Sequence, residues 1–153
     1  MPFTTPSPEV NPEGYLLSFD PDLLQLDVIH DFLSQAYWSE GIPKATVARA
    51  LKSSLCVGVY FAREQVAFAR LVTDYTTFGY LCDVFVLEPH RGKGLAKWMV
   101  QALQTHPELQ ELRRWMLATT NAHPLYEQRG FKPLTQPERF MQLHTPNVYR
   151  RRS

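Results

Sequence analysis

Hydrophobic positions along the chain change period several times, and each change marks an element. Leu26, Ile29, Phe32, Leu33, Ala36 and Tyr37 recur at helical spacing, and Asp20-Pro21 or Asp22 are start signals, which predicts a first helix. The segment Tyr37-Trp38-Ser39-Glu40-Gly41-Ile42-Pro43 breaks it, and Val47, Ala50, Leu51 and Leu55 mark a second, shorter helix. From Leu55 to Leu87 the pattern becomes that of β structure. Val57, Val59, Tyr60 and Phe61 lead into a turn at 62–65, 66–73 returns as a hairpin partner, and a loop at 74–78 opens the strand 80–87. Upstream, 14–19 reads as another strand. Downstream, Leu95, Trp98, Met99, Ala102 and Leu103 keep the spacing i, i+3, i+4, i+7, i+8 of an amphipathic helix. A connector at 107–112, a strand at 114–118, a helix at 122–128 stopped by Gly130, and final strands at 131–134 and 139–143 complete the order β-α-α-β-β-β-α-β-α-β-β.

Composition narrows the setting. A chain of 153 residues, 44% of them hydrophobic, can bury the core of one ordinary domain. Residues 1–13, rich in Pro, read as an extended N-terminal segment, 14–149 as the single domain and 150–153 as a basic tail. The net charge of +1 supplies no basic footprint for nucleic acid. No run of about 18 apolar residues suggests a membrane span, and the N-terminus lacks an apolar signal core; a soluble cytoplasmic protein is expected. Cys56 and Cys82 fall inside strands as small buried hydrophobes, and the five histidines show no zinc-ligand spacing, so neither a disulfide nor a metal is expected.

Candidate chemistry concentrates between Tyr80 and Ala102. The apolar run Leu81-Cys82-Asp83-Val84-Phe85-Val86-Leu87 breaks at Glu88-Pro89, passes through His90-Arg91-Gly92-Lys93-Gly94 and continues as a helix. Strand, Gly-rich turn and helix N-terminus together form a phosphate cradle, because glycine permits positive φ and close approach while the first helical turn offers unpaired N–H groups. A P-loop fails on the spacing of the glycines. A dinucleotide fingerprint fails because position 97 is Lys and no acid closes a second strand. Arg91-Gly92-Lys93-Gly94-Leu95-Ala96 instead fits Gln/Arg-x-x-Gly-x-Gly/Ala, in which successive backbone amides bind a pyrophosphate without metal.

Val86, Pro89, Arg91, Gly92, Gly94 and Ala96, with the later stretch Asn121-Ala122-His123-Pro124-Leu125-Tyr126-Glu127-Gln128-Arg129-Gly130-Phe131, make the chain resemble the GNAT superfamily of acyl-CoA-dependent N-acyltransferases. The resemblance implies an α/β (α+β) fold: a mixed, mostly antiparallel sheet of about seven strands, splayed between the fourth and fifth, flanked by about four helices, with acetyl-CoA in the cleft as cosubstrate. It also implies that the backbone of Val84, Phe85 and Val86 holds the pantetheine arm and polarises the thioester, and that the loop Arg91, Gly92, Lys93, Gly94, Leu95 and Ala96 takes the pyrophosphate.

An alkyl ammonium must lose a proton before it can attack a thioester, and the departing thiolate must gain one. Tyr126 matches the Tyr that family members place near the CoA sulfur, and a phenol with an ordinary pKa near 10 is a proton donor at neutral pH; packing of the helix on the sheet is its structural alternative. Asp83 is a carboxylate in an apolar strand, a placement that costs desolvation unless it is paired or faces a cleft. It could act as base, hold the substrate ammonium, or serve structure through a neighbouring Arg. Tyr37 and Trp38 lie where similar proteins cover the acceptor pocket, and Glu40 or Asp74 could attract positive charge; sealing a helix end is the plainer role for the two aromatics. His90 and His123 flank the two motifs. Thr119 stands where many members have Asn, and Pro124 suits only a first helical turn.

The expectation is transfer of acetyl from acetyl-CoA directly to a primary amine, on a small molecule rather than a protein. Acetylation of a peptide N-terminus or lysine is a second reading, and a non-catalytic acyl-CoA sensor a third. Edge strands near the C-terminus could pair in a homodimer.

Overall fold

The computed structural model describes residues 4–152. The central element is a six-stranded sheet in the order β1-β2-β3-β4-β5-β6, formed by Glu9–Val10 (β1), Leu16–Ser18 (β2), Leu55–Phe61 (β3), Glu64–Thr73 (β4), Phe78–Val86 (β5) and Arg114–Leu117 (β6). All pairings are antiparallel except the last, in which Phe78–Leu81 of β5 runs parallel to Arg114–Leu117 of β6. Four helices, Leu26–Leu33 (α1), Lys44–Lys52 (α2), Leu95–Gln104 (α3) and His123–Glu127 (α4), flank it.

Alternation in the strands divides the core between the two faces. Val57, Val59, Ala67, Ala69, Leu71 and Leu81 point to the face covered by α3, whose Leu95, Met99, Val100 and Leu103 are buried there. Cys56, Phe68 and Phe85 point to the other face, where Ile29 and Leu33 of α1 and Val47 of α2 meet them. The amphipathic period read from the sequence for the cradle helix is therefore the packing stripe itself.

Three differences from the sequence reading concern the ends. The segment before Gly14 contributes the short strand β1, paired with β2 through Glu9↔Leu17 and Val10↔Leu16; residues 1–3 and 153 lie outside the described part. Residues 131–134 and 139–143 do not form strands, so the sheet has six strands and not seven. Their residue types favour β structure, but a strand also needs a partner edge, and these segments pair with none among the described residues. At the C-terminus, Val148–Arg152 winds as a 3-10 helix, and Arg150 donates to Glu40 at 2.5 Å.

Candidate functional site

The strand β5 carries a break that organises the site. Its pairing with β4 runs Ala67↔Val86 and Phe68↔Phe85 but then Arg70↔Cys82, so one extra residue of β5 is accommodated there. Asp83 takes φ +55, a left-handed conformation that Asp tolerates better than most residues. This is a β-bulge, and it sharpens the local twist. Pairing of β5 with β6 ends two residues earlier, at Leu81↔Leu117. From Cys82 to Val86 the strand therefore has a neighbour on one edge only, and a cleft opens between β5 and the chain leaving β6. Counted from the strand at Leu16, these are the fourth and fifth strands, where the splay was expected.

The bulge turns Asp83 to the face of Cys82 and Arg70, where a polar network forms. Arg70 Nε donates to Asp83 Oδ2 at 2.9 Å, the Trp38 indole N–H donates to Asp83 Oδ1 at 2.8 Å, and Arg70 Nη1 donates to Ser54 Oγ at 2.9 Å. The side chains of Arg70 and Asp83 are only 19% and 11% exposed. Burial works against the charge on Arg70, but Cys82 and Asp83 beside it outweigh that and leave its pKa above the ordinary value. Desolvation also pushes the Cys82 thiol up to about 11, Arg70 opposing it, and makes this cysteine a poor nucleophile at neutral pH.

The loop after α1 closes over this network. Trp38 reaches Asp83, and the Tyr37 hydroxyl lies 3.0 Å from Thr120 Oγ1, beyond β6. One loop thus bridges the two banks of the splay. Phe32 stacks on Phe85 at 4.1 Å between ring centroids and holds the base of that loop to the strand. Of the two acids considered near the acceptor, Asp74 is spent on its own turn: its Oδ1 accepts from the backbone N–H of Thr76, Thr77 and Phe78. The bond from the Thr77 hydroxyl and these amides hold its pKa well below the carboxylate range. Glu40 pairs with Arg150.

Beyond the cleft stands the cradle. Gly92 and Gly94 have φ +79 and +75, and a Cβ at either would meet nothing within 4 Å. Open space therefore faces both glycines. The first amide here to find an intrahelical acceptor is that of Trp98, which donates to the Gly94 carbonyl at 3.0 Å. Among the described residues none accepts from the N–H groups of 92–97, so they converge unpaired at the positive end of α3. Arg91 Nε donates to the Val86 carbonyl at 2.9 Å and fastens the cradle to the end of β5. The side chains of Val84 and Val86 pack toward α3 and that of Phe85 toward α1, which leaves only their backbone for the cleft. Chemically, such a loop suits the oxygens of a pyrophosphate, and the free strand edge beside it suits an amide-containing chain.

Tyr126 sits on α4 with its ring buried, 8% exposed, edge-on to Phe131 at 5.9 Å between centroids. Burial raises its pKa above the ordinary phenol value. No hydrogen bond joins it to Asp83; it borders a cavity of about 330 Å³ along β6, with Leu117, Thr119, His123 and Leu134. Thr119 Oγ1 accepts from the Ala122 amide at 3.1 Å and so starts α4, where Pro124 falls in the first turn. His90 is engaged with the Tyr15 hydroxyl at 2.8 Å. The residues that sequence reasoning missed are Arg70 and Thr120. Arg70 carried a signal, since it is the lone charge between Val66 and Thr73, as Asp83 is between Leu81 and Leu87. Thr120 carried none.

Comparison with known proteins agrees with this geometry. The profile of the acetyltransferase (GNAT) family matches residues 25–131. A protein of Gibberella zeae named as an acetyltransferase is 40% identical over 136 residues, 73% of this chain and 75% of that protein. A crystal structure from Xanthomonas campestris pv. campestris, assigned to the GNAT family, is similar at 47% identity and a TM-score of 0.86, over 88% of this chain and 96% of that one. A structure from Clostridium acetobutylicum, solved with acetyl-CoA, shares the fold at 16% identity and a TM-score of 0.62, over 86% of this chain and 95% of that one.

Proposed function

This chain belongs to the acetyltransferase (GNAT) family, and from that premise we propose that it transfers the acetyl group of acetyl-CoA directly to a primary amine of a small molecule. The observation that carries the proposal is the run of unpaired amides at 92–97, with two left-handed glycines, set at the end of the unpaired half of β5. That arrangement fits a pyrophosphate followed by a pantetheine arm. Acetyl-CoA, when bound, supplies the activated acyl group and a thiolate leaving group.

The chain's own residues supply the rest. The amides of 92–97 hold the pyrophosphate, and the free edge of β5 at 84–86 supplies backbone donors and acceptors along the cleft. Tyr126 donates a proton to the leaving thiolate; its raised pKa keeps the phenol protonated at neutral pH. Asp83 already accepts from Arg70 and Trp38, so its remaining lone pairs orient an ammonium, and the proton leaves through water. Tyr37 and Trp38 bond to opposite banks of the splay, and a cleft bridged in this way favours a small acceptor over an extended peptide, which needs an open groove.

Thiol release from acetyl-CoA, followed with a panel of amines, polyamines, amino acids, aminoglycosides and short peptides, tests the proposal. Amine-dependent release is expected, falling on the order of 10²-fold in Tyr126→Phe with the affinity for CoA unchanged. Binding of CoA without release on any amine would favour the sensor reading, and release with peptides alone would move the acceptor to proteins.

A further inference from the structure

Along β4 and β5, the face of the sheet that carries α1 and α2 falls into three bands. The first, Phe68 beside Phe85, is roofed by those helices and buried. The second is polar: Arg70 beside Cys82, with Asp83 turned to the same side by the bulge. The third is Val72 beside Tyr80, with Met116 of β6 on the other side of Tyr80. The helices stop short of this band, and Val72 is 43% and Tyr80 37% exposed. An apolar strip thus leads away from the acid. Contiguous apolar surface rimmed by polar groups is a mark of a binding site.

Tyr80 is unclaimed by other polar or aromatic groups: among the described residues its hydroxyl makes no hydrogen bond and its ring meets no other ring. It nevertheless stands close to the polar band, since burial, and then Cys82 and Asp83 beside it, raise its pKa above the ordinary phenol value. The charge of that band selects further. Among the described residues it holds one carboxylate, Asp83, and Arg70 already balances it. Glu40 is paired with Arg150, and Asp74 is bound by its own turn. A polyamine or an aminoglycoside brings further cations toward Arg70, with no acid of the band left to receive them. A single ammonium beside Asp83 and the exposed ring of Trp38 gains from both, because an aromatic face attracts a cation.

We infer that the acceptor is a primary amine with one positive charge and an apolar aryl or alkyl body, which lies on Tyr80, Val72 and Met116 while its nitrogen meets Asp83; this rests on the acetyl transfer proposed above. Bands two residues apart along a strand are separated by about 7 Å, the reach from the nitrogen into the ring of 2-phenylethylamine. Tyr80 is then a residue that determines specificity, and the strip measures the body of the acceptor independently of its amine.

Steady-state thiol release, and calorimetry on the CoA-loaded protein, test this with 2-phenylethylamine, hexylamine, ethylamine, spermidine, kanamycin and a short lysine peptide. Wild type is expected to favour 2-phenylethylamine and hexylamine over ethylamine on the order of 10- to 100-fold in kcat/KM and in affinity, and to disfavour the polycations. Tyr80→Ala, at a position open to solvent, is expected to cut the ratio of 2-phenylethylamine to ethylamine about tenfold, through KM, with CoA affinity unchanged; Tyr80→Phe should retain the ratio. A loss in Tyr80→Ala that falls equally on ethylamine marks a merely structural role and overturns the inference. So does a preference for spermidine, kanamycin or the peptide, or indifference to the apolar body. Those results leave acetyl transfer itself standing. Absence of thiol release with every amine instead removes the transferase reading, and the calorimetric order of the amines then decides for or against the strip.

Discussion

Replacing Arg70 by Met removes the cation from a nearly buried pair and keeps most of the side-chain volume. The carboxylate of Asp83, 11% exposed, then keeps one strong donor, the Trp38 indole at 2.8 Å, where it had two. Orphaning one member of a buried pair typically costs about 3–5 kcal/mol. The surviving Trp38 bond and the residual exposure bring the expectation here to roughly 2–3 kcal/mol. For a domain of this size that is about 5–10 °C in the thermal midpoint. Asp83→Asn should cost a similar amount, because it leaves the guanidinium without its counter-charge while the amide oxygen still accepts from Trp38. The double variant leaves no unpaired charge, so it should be less destabilised than the two single effects added, by about 1–2 kcal/mol. The assay is chemical denaturation of all four proteins at pH 7.5. Additivity within about 0.5 kcal/mol would refute the view that these two groups exist as a pair in the fold.

Gly94→Ala separates binding from stability. A Cβ there meets nothing within 4 Å, so the cost to the fold is the left-handed backbone alone, about 1–2 kcal/mol, while CoA affinity measured by calorimetry should fall at least about tenfold because the methyl enters the cradle; unchanged affinity would remove the cradle from the CoA site. Tyr60→Phe should leave stability unchanged or raise it by about 1 kcal/mol in thermal denaturation, because the Tyr60 hydroxyl is buried with no hydrogen-bond partner among the described residues and folding strips it of water for nothing in return. A clear loss of stability would show that the hydroxyl is satisfied.

Much of the fold could be read from periodicity because local and tertiary preferences coincide. The stripe Leu95, Met99 and Leu103 is apolar at helical spacing and is the stripe that packs on the sheet, so pattern and contact carry the same information. The hairpin of β3 and β4 and the strand leading to the cradle were legible for the same reason. The cradle was legible because backbone conformation restricts residue type: positive φ at positions 92 and 94 calls for glycine. The stretches 131–134 and 139–143 were misread because strand formation depends on a partner edge, which no local pattern records. The pairing of Asp83 with Arg70 lay in the register of two strands and in a bulge that no residue announces by its type, so the acid was visible and its partner was not. Tyr37 and Trp38 were singled out by position; that they bond to opposite banks of the splay depends on tertiary geometry, which no local pattern records.

The bulge joins architecture to chemistry at a single residue. Without the extra residue at Asp83, alternation along β5 would place positions 82 and 83 on opposite faces of the sheet and carry the acid away from Arg70. With it, the acid faces Arg70 and Trp38, and the strand twists more sharply just beyond its last pair with β6. Opening the cleft and placing a carboxylate at its mouth are therefore one structural event. The residue type has to satisfy both demands. Asp and Asn tolerate the left-handed region at modest cost, whereas most other side chains add strain there. Asn is accordingly the substitution that removes the charge and leaves the backbone requirement met, while Ala would confound the loss of the ion pair with strain in the bulge that shapes the cleft. An effect on turnover seen with Asn can be assigned to the carboxylate; the same effect seen with Ala could arise from the cleft itself.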